Sequence, residues 1–156
     1  MLEKDQIIPA FILPGTDGMP HSPWDYKQRE NLIILIVPSV KTNEGRTLLR
    51  TFAEYFQTLR ENMCAVLALS PDTVIANLEA QETLHLPFPL LADPAGGVIS
   101  YYTSWDTVQR TLTPSIIITN LYNALYQQWM LEREGEAPPI SELVDALHYL
   151  NNLCTP

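Results

Sequence analysis

The side chains of this chain that could do chemistry are few and scattered. Two cysteines, Cys64 and Cys154, lie far apart and match no metal-ligand or redox spacing. A thiol becomes a nucleophile only where its surroundings favour the thiolate. Cys64 opens an apolar run, the setting of a buried small hydrophobe, whereas Cys154 stands near the end of the sequence, the setting of an exposed thiol. His21, His85 and His148 form no pair at ligand spacing and read as solvent-facing or satisfied by a neighbour. Glu132, Glu134 and Glu136 alternate in one segment, which fits a loose cation site or, more plainly, a solvated acidic face. These residues imply no metal and no cofactor.

The stretch with the most chemical potential is a junction. Residues 32–37 are apolar throughout and β-branched at several positions, which reads as a strand buried on both faces. Pro38 ends it. Beyond a short polar loop, Leu48, Leu49, Phe52, Phe56 and Leu59 recur at helical spacing. They predict a helix over about 44–61, with Asn43 as its cap and Glu44 as the negative charge at its positive end. Backbone N–H groups at such an end hold an anion or a carbonyl oxygen, whatever the side chains do.

The elements around the junction follow from periodicity. A second apolar run, 63–69, comes after the helix, so strand, helix and strand form a right-handed crossover with parallel strands. Asp72 then reads as the N-cap of a helix that carries Val74, Ile75 and Leu78 on one face and fades near His85. Upstream, residues 7–18 read as an edge segment and a turn, because Pro9 and Pro14 cannot donate to a ladder and Thr16-Asp17-Gly18 is turn chemistry. Downstream come a short helix holding Val98, Ile99, Tyr101 and Tyr102, a strand over 115–121, a turn at Tyr122-Asn123 and a partner strand over 124–130. The charged stretch 132–139 is a surface loop, and a last helix after Pro138-Pro139 buries Leu143, Val144, Leu147 and Leu150.

Composition narrows the function classes. A length of 156 residues with 46% hydrophobic content suits one domain, 1–156, with one good core. Nine basic residues against eighteen acidic ones give a net charge of −9, which argues against a nucleic-acid backbone or an anionic membrane surface as partner. No apolar run approaches a bilayer span, and the opening residues lack the apolar core of a signal peptide. The expected setting is the cytoplasm.

The loop Pro38-Ser-Val-Lys-Thr42-Asn-Glu-Gly45 resembles the signature of the peroxiredoxin (AhpC/TSA, redoxin) family: a proline, three variable residues, a threonine, two more, then the peroxidatic cysteine in the first helical turn. The string Phe88-Pro89-Leu90-Leu91-Ala92-Asp93-Pro94 is similar to that family's "FPLLSDP". The resemblance runs from about 7 to 153. It implies a thioredoxin-like α/β fold, a central mixed sheet flanked by helices.

In the family the cysteine thiolate attacks a peroxide oxygen, while threonine and arginine side chains and backbone N–H groups hold the peroxide. Here the cysteine position is Gly45, so the resemblance implies a degenerate site of Pro38, Thr42, Gly45 and Arg110. Arg110 is the candidate for the family's arginine, yet it stands five residues ahead of Ser115, slightly early for a match, and reads more plainly as a surface residue. Thr113-Pro114-Ser115 looks like the thioredoxin-type loop whose proline is cis and borders the helix end, which would put Pro114 beside Thr42 and Gly45 as a ligand-binding pocket. Tyr101, Tyr102 and Trp105 read either as a contact surface for a homodimer or as packing under a loop.

Two functions follow from different classes. One is a peroxiredoxin-like protein without its nucleophile, serving as a binding or interaction module for a small molecule or protein. The other is a thiol oxidoreductase that uses Cys154 or Cys64 instead.

Overall fold

The structure, a computed structural model, describes residues 2–153. A hairpin of β1 (Leu13–Pro14) and β2 (Pro20–His21) leads through a 3-10 turn (Pro23–Tyr26) into β3 (Asn31–Ile36) and the long α1 (Asn43–Glu61). Then come β4 (Cys64–Ser70), α2 (Val74–Leu84), β5 (Leu90–Ala92) and the one-turn α3 (Ile99–Tyr102). A small hairpin of β6 (Trp105–Asp106) and β7 (Thr111–Leu112) precedes β8 (Ser115–Thr119), β9 (Leu125–Met130) and α4 (Ile140–Asn151).

Five strands form the central sheet in the order β5-β4-β3-β8-β9. β3 runs parallel to β4, pairing Asn31 with Cys64 and Ile36 with Leu69, and antiparallel to β8, pairing Ile36 with Ser115. The sheet is therefore mixed, and the crossover expected from the apolar runs is present. Period-2 alternation divides β3 between two cores. Ile33, Leu35 and Val37 face α1 and α4, against Leu49, Phe52, Leu143 and Leu147. Leu32, Ile34 and Ile36 face the N-terminal segment and α3, against Ile8, Phe11, Ile99 and Tyr102. With both faces covered, every residue of β3 and β4 is buried, which is why those runs read as continuously apolar.

The N-terminal segment also closes sheet edges, where unpaired backbone groups invite foreign strands. Thr16 donates its N–H to Leu90 on β5, and Gln6 accepts from Leu125 at the start of β9. Among the described residues no helix is long and apolar enough to cross a membrane.

Three local expectations are corrected. Helix α1 is capped by Thr42, whose backbone is extended and whose Oγ1 accepts the Gly45 N–H, and Asn43 is already inside the first turn. Helix α2 is capped by Thr73 in the same way, leaving Asp72 free for another role. Val74, Ile75 and Leu78 are exposed, while the inward positions of α2 are Asn77 and Ala80. That helix carries apolar residues on both sides, so periodicity could not choose its face; the Ser70 Oγ, which donates to Asn77 Oδ1 at 2.6 Å, did.

Candidate functional site

The junction between β3 and α1 is built as a closed loop. β3 ends in the middle of the sheet, and Val37 still donates to Leu69 before Pro38 removes the next donor. Thr42 then turns the chain into α1. Its Oγ1 donates to the Ser39 carbonyl at 3.2 Å and accepts the Gly45 N–H at 3.1 Å, so the hydroxyl is engaged on both sides. Arg46 points its Nε back to the Val40 carbonyl at 3.0 Å.

The remaining restraint comes from a different strand. Asp72, just after β4, accepts the Ser39 hydroxyl at 3.0 Å and the Val40 N–H at 2.8 Å, one on each carboxylate oxygen. A carboxylate receiving two donors from one loop holds that loop in one conformation. Sequence reading missed this role because a Ser-Pro-Asp-Thr segment before a helix looks like a cap, and only the parallel β3–β4 pairing brings Asp72 beside Ser39.

Gly45 is buried in the first turn of α1. A Cβ built there would lie 1.7 Å from the Ser39 carbonyl oxygen and 2.9 Å from its carbon, with Thr42 Oγ1 at 3.1 Å. The glycine is thus demanded by close approach of the backbone.

The other candidate residues make their hydrogen bonds to neighbouring loops, Arg110 among them reaching the residue before Asp72. Arg110 donates Nη2 to the carbonyls of Pro94 at 2.7 Å and Pro71 at 3.3 Å, and its guanidinium lies 5.7 Å from the Trp105 ring centroid. It pins the β6–β7 hairpin to the loops that follow β4 and β5. Pro114 is buried, but no peptide bond among the described residues is cis, which corrects the loop geometry inferred from resemblance. The Pro114 carbonyl accepts the Leu131 N–H, so the residue simply extends the β8–β9 ladder. Thr113 is engaged through its carbonyl by Thr103 Oγ1 at 2.7 Å and through its hydroxyl by Ser104 at 2.6 Å.

Cys64 lies at the opposite end of the sheet. It opens β4 beside Asn31, whereas Gly45 follows the far end of β3, so about 20 Å of strand separates the two levels at ~3.3 Å per residue. The side chain is fully buried, and its Sγ donates to the Ala65 carbonyl at 3.3 Å. Burial pushes the thiol well above its ordinary pKa, and the Glu30 carboxylate adds to the effect. Such a group is neither accessible nor a thiolate at neutral pH. Cys154 lies outside the described residues.

His85 closes α2 in a left-handed conformation with φ 51°, His148 is exposed on α4, and His21 pairs with Asp17 at 2.8 Å. Burial opposes ionisation of Asp17, but the Met19 N–H and the His21 ring outweigh it and hold the carboxyl below its usual range. Glu136 pairs loosely with Arg133 at 4.0 Å, and among the described residues no group of acids, histidines and cysteines is arranged to hold a metal. Of the aromatic trio, Tyr102 is buried and donates its hydroxyl to the Pro9 carbonyl, Trp105 packs on Gly96, and only Tyr101 is open to solvent. A cleft of about 90 Å³ does border α1, between Leu48, Thr51, Leu131 and Ala137, but it does not include Thr42, Gly45 or Pro114.

A mixed five-stranded sheet with parallel β3-α1-β4 at its centre and a helix N-terminus at the sheet rim defines a thioredoxin-like fold. The AhpC/TSA family profile matches residues 5–123, and the chain belongs to that family. Among solved structures, AhpC of Enterococcus faecalis superposes with a TM-score of 0.83 at 19% identity, covering 100% of both chains. The peroxidoxin BcpB of Mycobacterium tuberculosis gives 0.82 at 14% identity, over 99% of this chain and 100% of that one. A mutant of peroxiredoxin 6 from Arenicola marina gives 0.83 at 16% identity, over 97% of this chain and 74% of that one. At such identities the likeness concerns the fold. No match was found among curated proteins.

Proposed function

We propose that this chain is a catalytically silent peroxiredoxin-like protein that works as a binding or interaction module. The observation that carries the reading is Gly45: the first helical turn after β3, which the family motif gives to the peroxidatic cysteine, offers no sulfur, and Cys64 is buried at the other end of the sheet. A thiolate at the helix end is the group that attacks peroxide, and backbone N–H groups alone cannot take its place in the redox step. The proposed setting is the cytoplasm, where reducing conditions keep both cysteines as thiols.

The test is hydrogen peroxide reduction by the purified chain with dithiothreitol as donor. The expected rate is that of the buffer control. Turnover well above that rate, abolished by Cys154→Ser or Cys64→Ser, would establish the thiol oxidoreductase instead. The proposed partner is a second copy of the chain, a reading supported by the exposure of Tyr101 at 66% and Val108 at 91%. Sedimentation equilibrium checks it: a monomer at all accessible concentrations removes the homodimer and leaves a heterologous partner.

A further inference from the structure

We infer that the seat at the start of α1 is a plugged site: the Ser39 carbonyl, clamped by Asp72, fills the volume that a side chain at residue 45 would need. The plug belongs to the site proposed above, yet it is read out in stability and amide exchange, so it can fail while the peroxide result stands.

The clash at residue 45 is with backbone. At 1.7 Å from Ser39 O, a Cβ would sit far inside the roughly 3.0 Å below which real Cβ contacts essentially do not occur. No rotamer relieves such a contact, because the obstructing atom belongs to the main chain and not to the tip of a flexible side chain. Nor is the glycine needed for its backbone dihedrals, since Gly45 is not among the glycines with positive φ. Its one requirement is the space that the loop takes.

The carbonyl is fixed in that space from several directions. Thr42 Oγ1 donates to it directly, Asp72 holds the Ser39 hydroxyl and the Val40 N–H, the Lys41 N–H reaches the Ser39 Oγ at 3.1 Å, and Arg46 holds the Val40 carbonyl. A helix end of this type offers its first N–H groups to an anion. Here the Gly45 N–H is taken by Thr42 Oγ1, and the Arg46 N–H makes the first intrahelical bond to the Thr42 carbonyl. One of the helix's first donors and the space for a side chain at residue 45 are thus taken by the loop itself. Loss of the sulfur and closure of the loop are then one structural change, with Asp72 as the positioning residue that ties the loop to β4.

The sign of a single substitution tests this. Replacing a helical glycine by alanine ordinarily stabilises. Gly45→Ala should instead lower the melting temperature, by more than about 4 °C for a domain of this size, and the Val40 amide should lose its protection from hydrogen exchange. In the Gly45→Ala background, Asp72→Ala should cost less than it does alone, because the displaced loop has already left the carboxylate. A melting temperature raised by Gly45→Ala, or strictly additive costs in the cycle, would overturn the plug. Should Gly45→Ala fail to fold, Asp72→Ala alone decides: the expected result is faster exchange at the Val40 and Gly45 amides with the global unfolding midpoint little changed, and unaltered exchange at both overturns the proposal.

Discussion

The two ends of β3 and β4 make opposite uses of the same sheet. At the rim where β3 meets α1, a helix end, a threonine hydroxyl and a carboxylate from the next strand converge on a position that has no sulfur. At the other end, Cys64 has a sulfur and no chemistry around it: apolar neighbours, no exposure and a thiol kept protonated by burial. Reactivity in a cysteine comes from surroundings that favour the thiolate, and the buried surroundings of Cys64 do not. The comparison teaches that burial decides what Cys64 does, whatever its element.

The comparison can be broken or sharpened by experiment, beginning with the largest effect. Phe52 fastens α1 to the sheet between the two ends and is fully buried. Phe52→Ala should cost about 3–5 kcal/mol in urea unfolding, and a loss below ~1 kcal/mol would mean that α1 is not held as described. Cys64→Ser places a hydroxyl where only a thiol's weak polarity is tolerated and should cost about 1–3 kcal/mol, while Cys64→Ala leaves a smaller defect. Native Cys64 should not react with a water-soluble disulfide reagent until the chain unfolds. Labelling at the rate of a free thiol would erase the contrast between the two ends.

The buried thiol also sets a pH dependence. An ordinary thiol titrates near 9.0, and the folded-state value is raised. Above pH 9 the unfolded chain loses its proton while the folded chain keeps it, so stability is fully present below that pH and declines as pH rises. The decline attributable to Cys64 should approach ~1.4 kcal/mol per pH unit and should vanish in Cys64→Ala. Burial raises the Tyr102 phenol as well, which adds a second loss above its ordinary 10.0. The smallest effect falls at the rim. Thr42→Ala removes the α1 cap and one donor to Ser39, with an expected cost of about 1 kcal/mol. A neutral outcome there would show that the closed loop does not depend on that hydroxyl.

Much of the fold was legible in the residues. The unbroken apolar runs of β3 and β4 read as strands covered on both faces, and the helical spacing of Leu48, Leu49, Phe52 and Leu59 fixed the inner side of α1. The helix caps were displaced by one residue, because Thr42 and Asn43, like Asp72 and Thr73, are chemically equivalent capping residues until backbone dihedrals choose between them. The face of α2 was out of reach for a helix that is apolar on both sides.

By itself the sequence determined where the central strands and the long helices run and that residue 45, in the first turn after β3, is a glycine. Only the tertiary structure decided what fills that place. Asp72 and Ser39 are 33 residues apart and meet because β3 and β4 lie side by side, and a contact made across two strands leaves no periodic trace along either one.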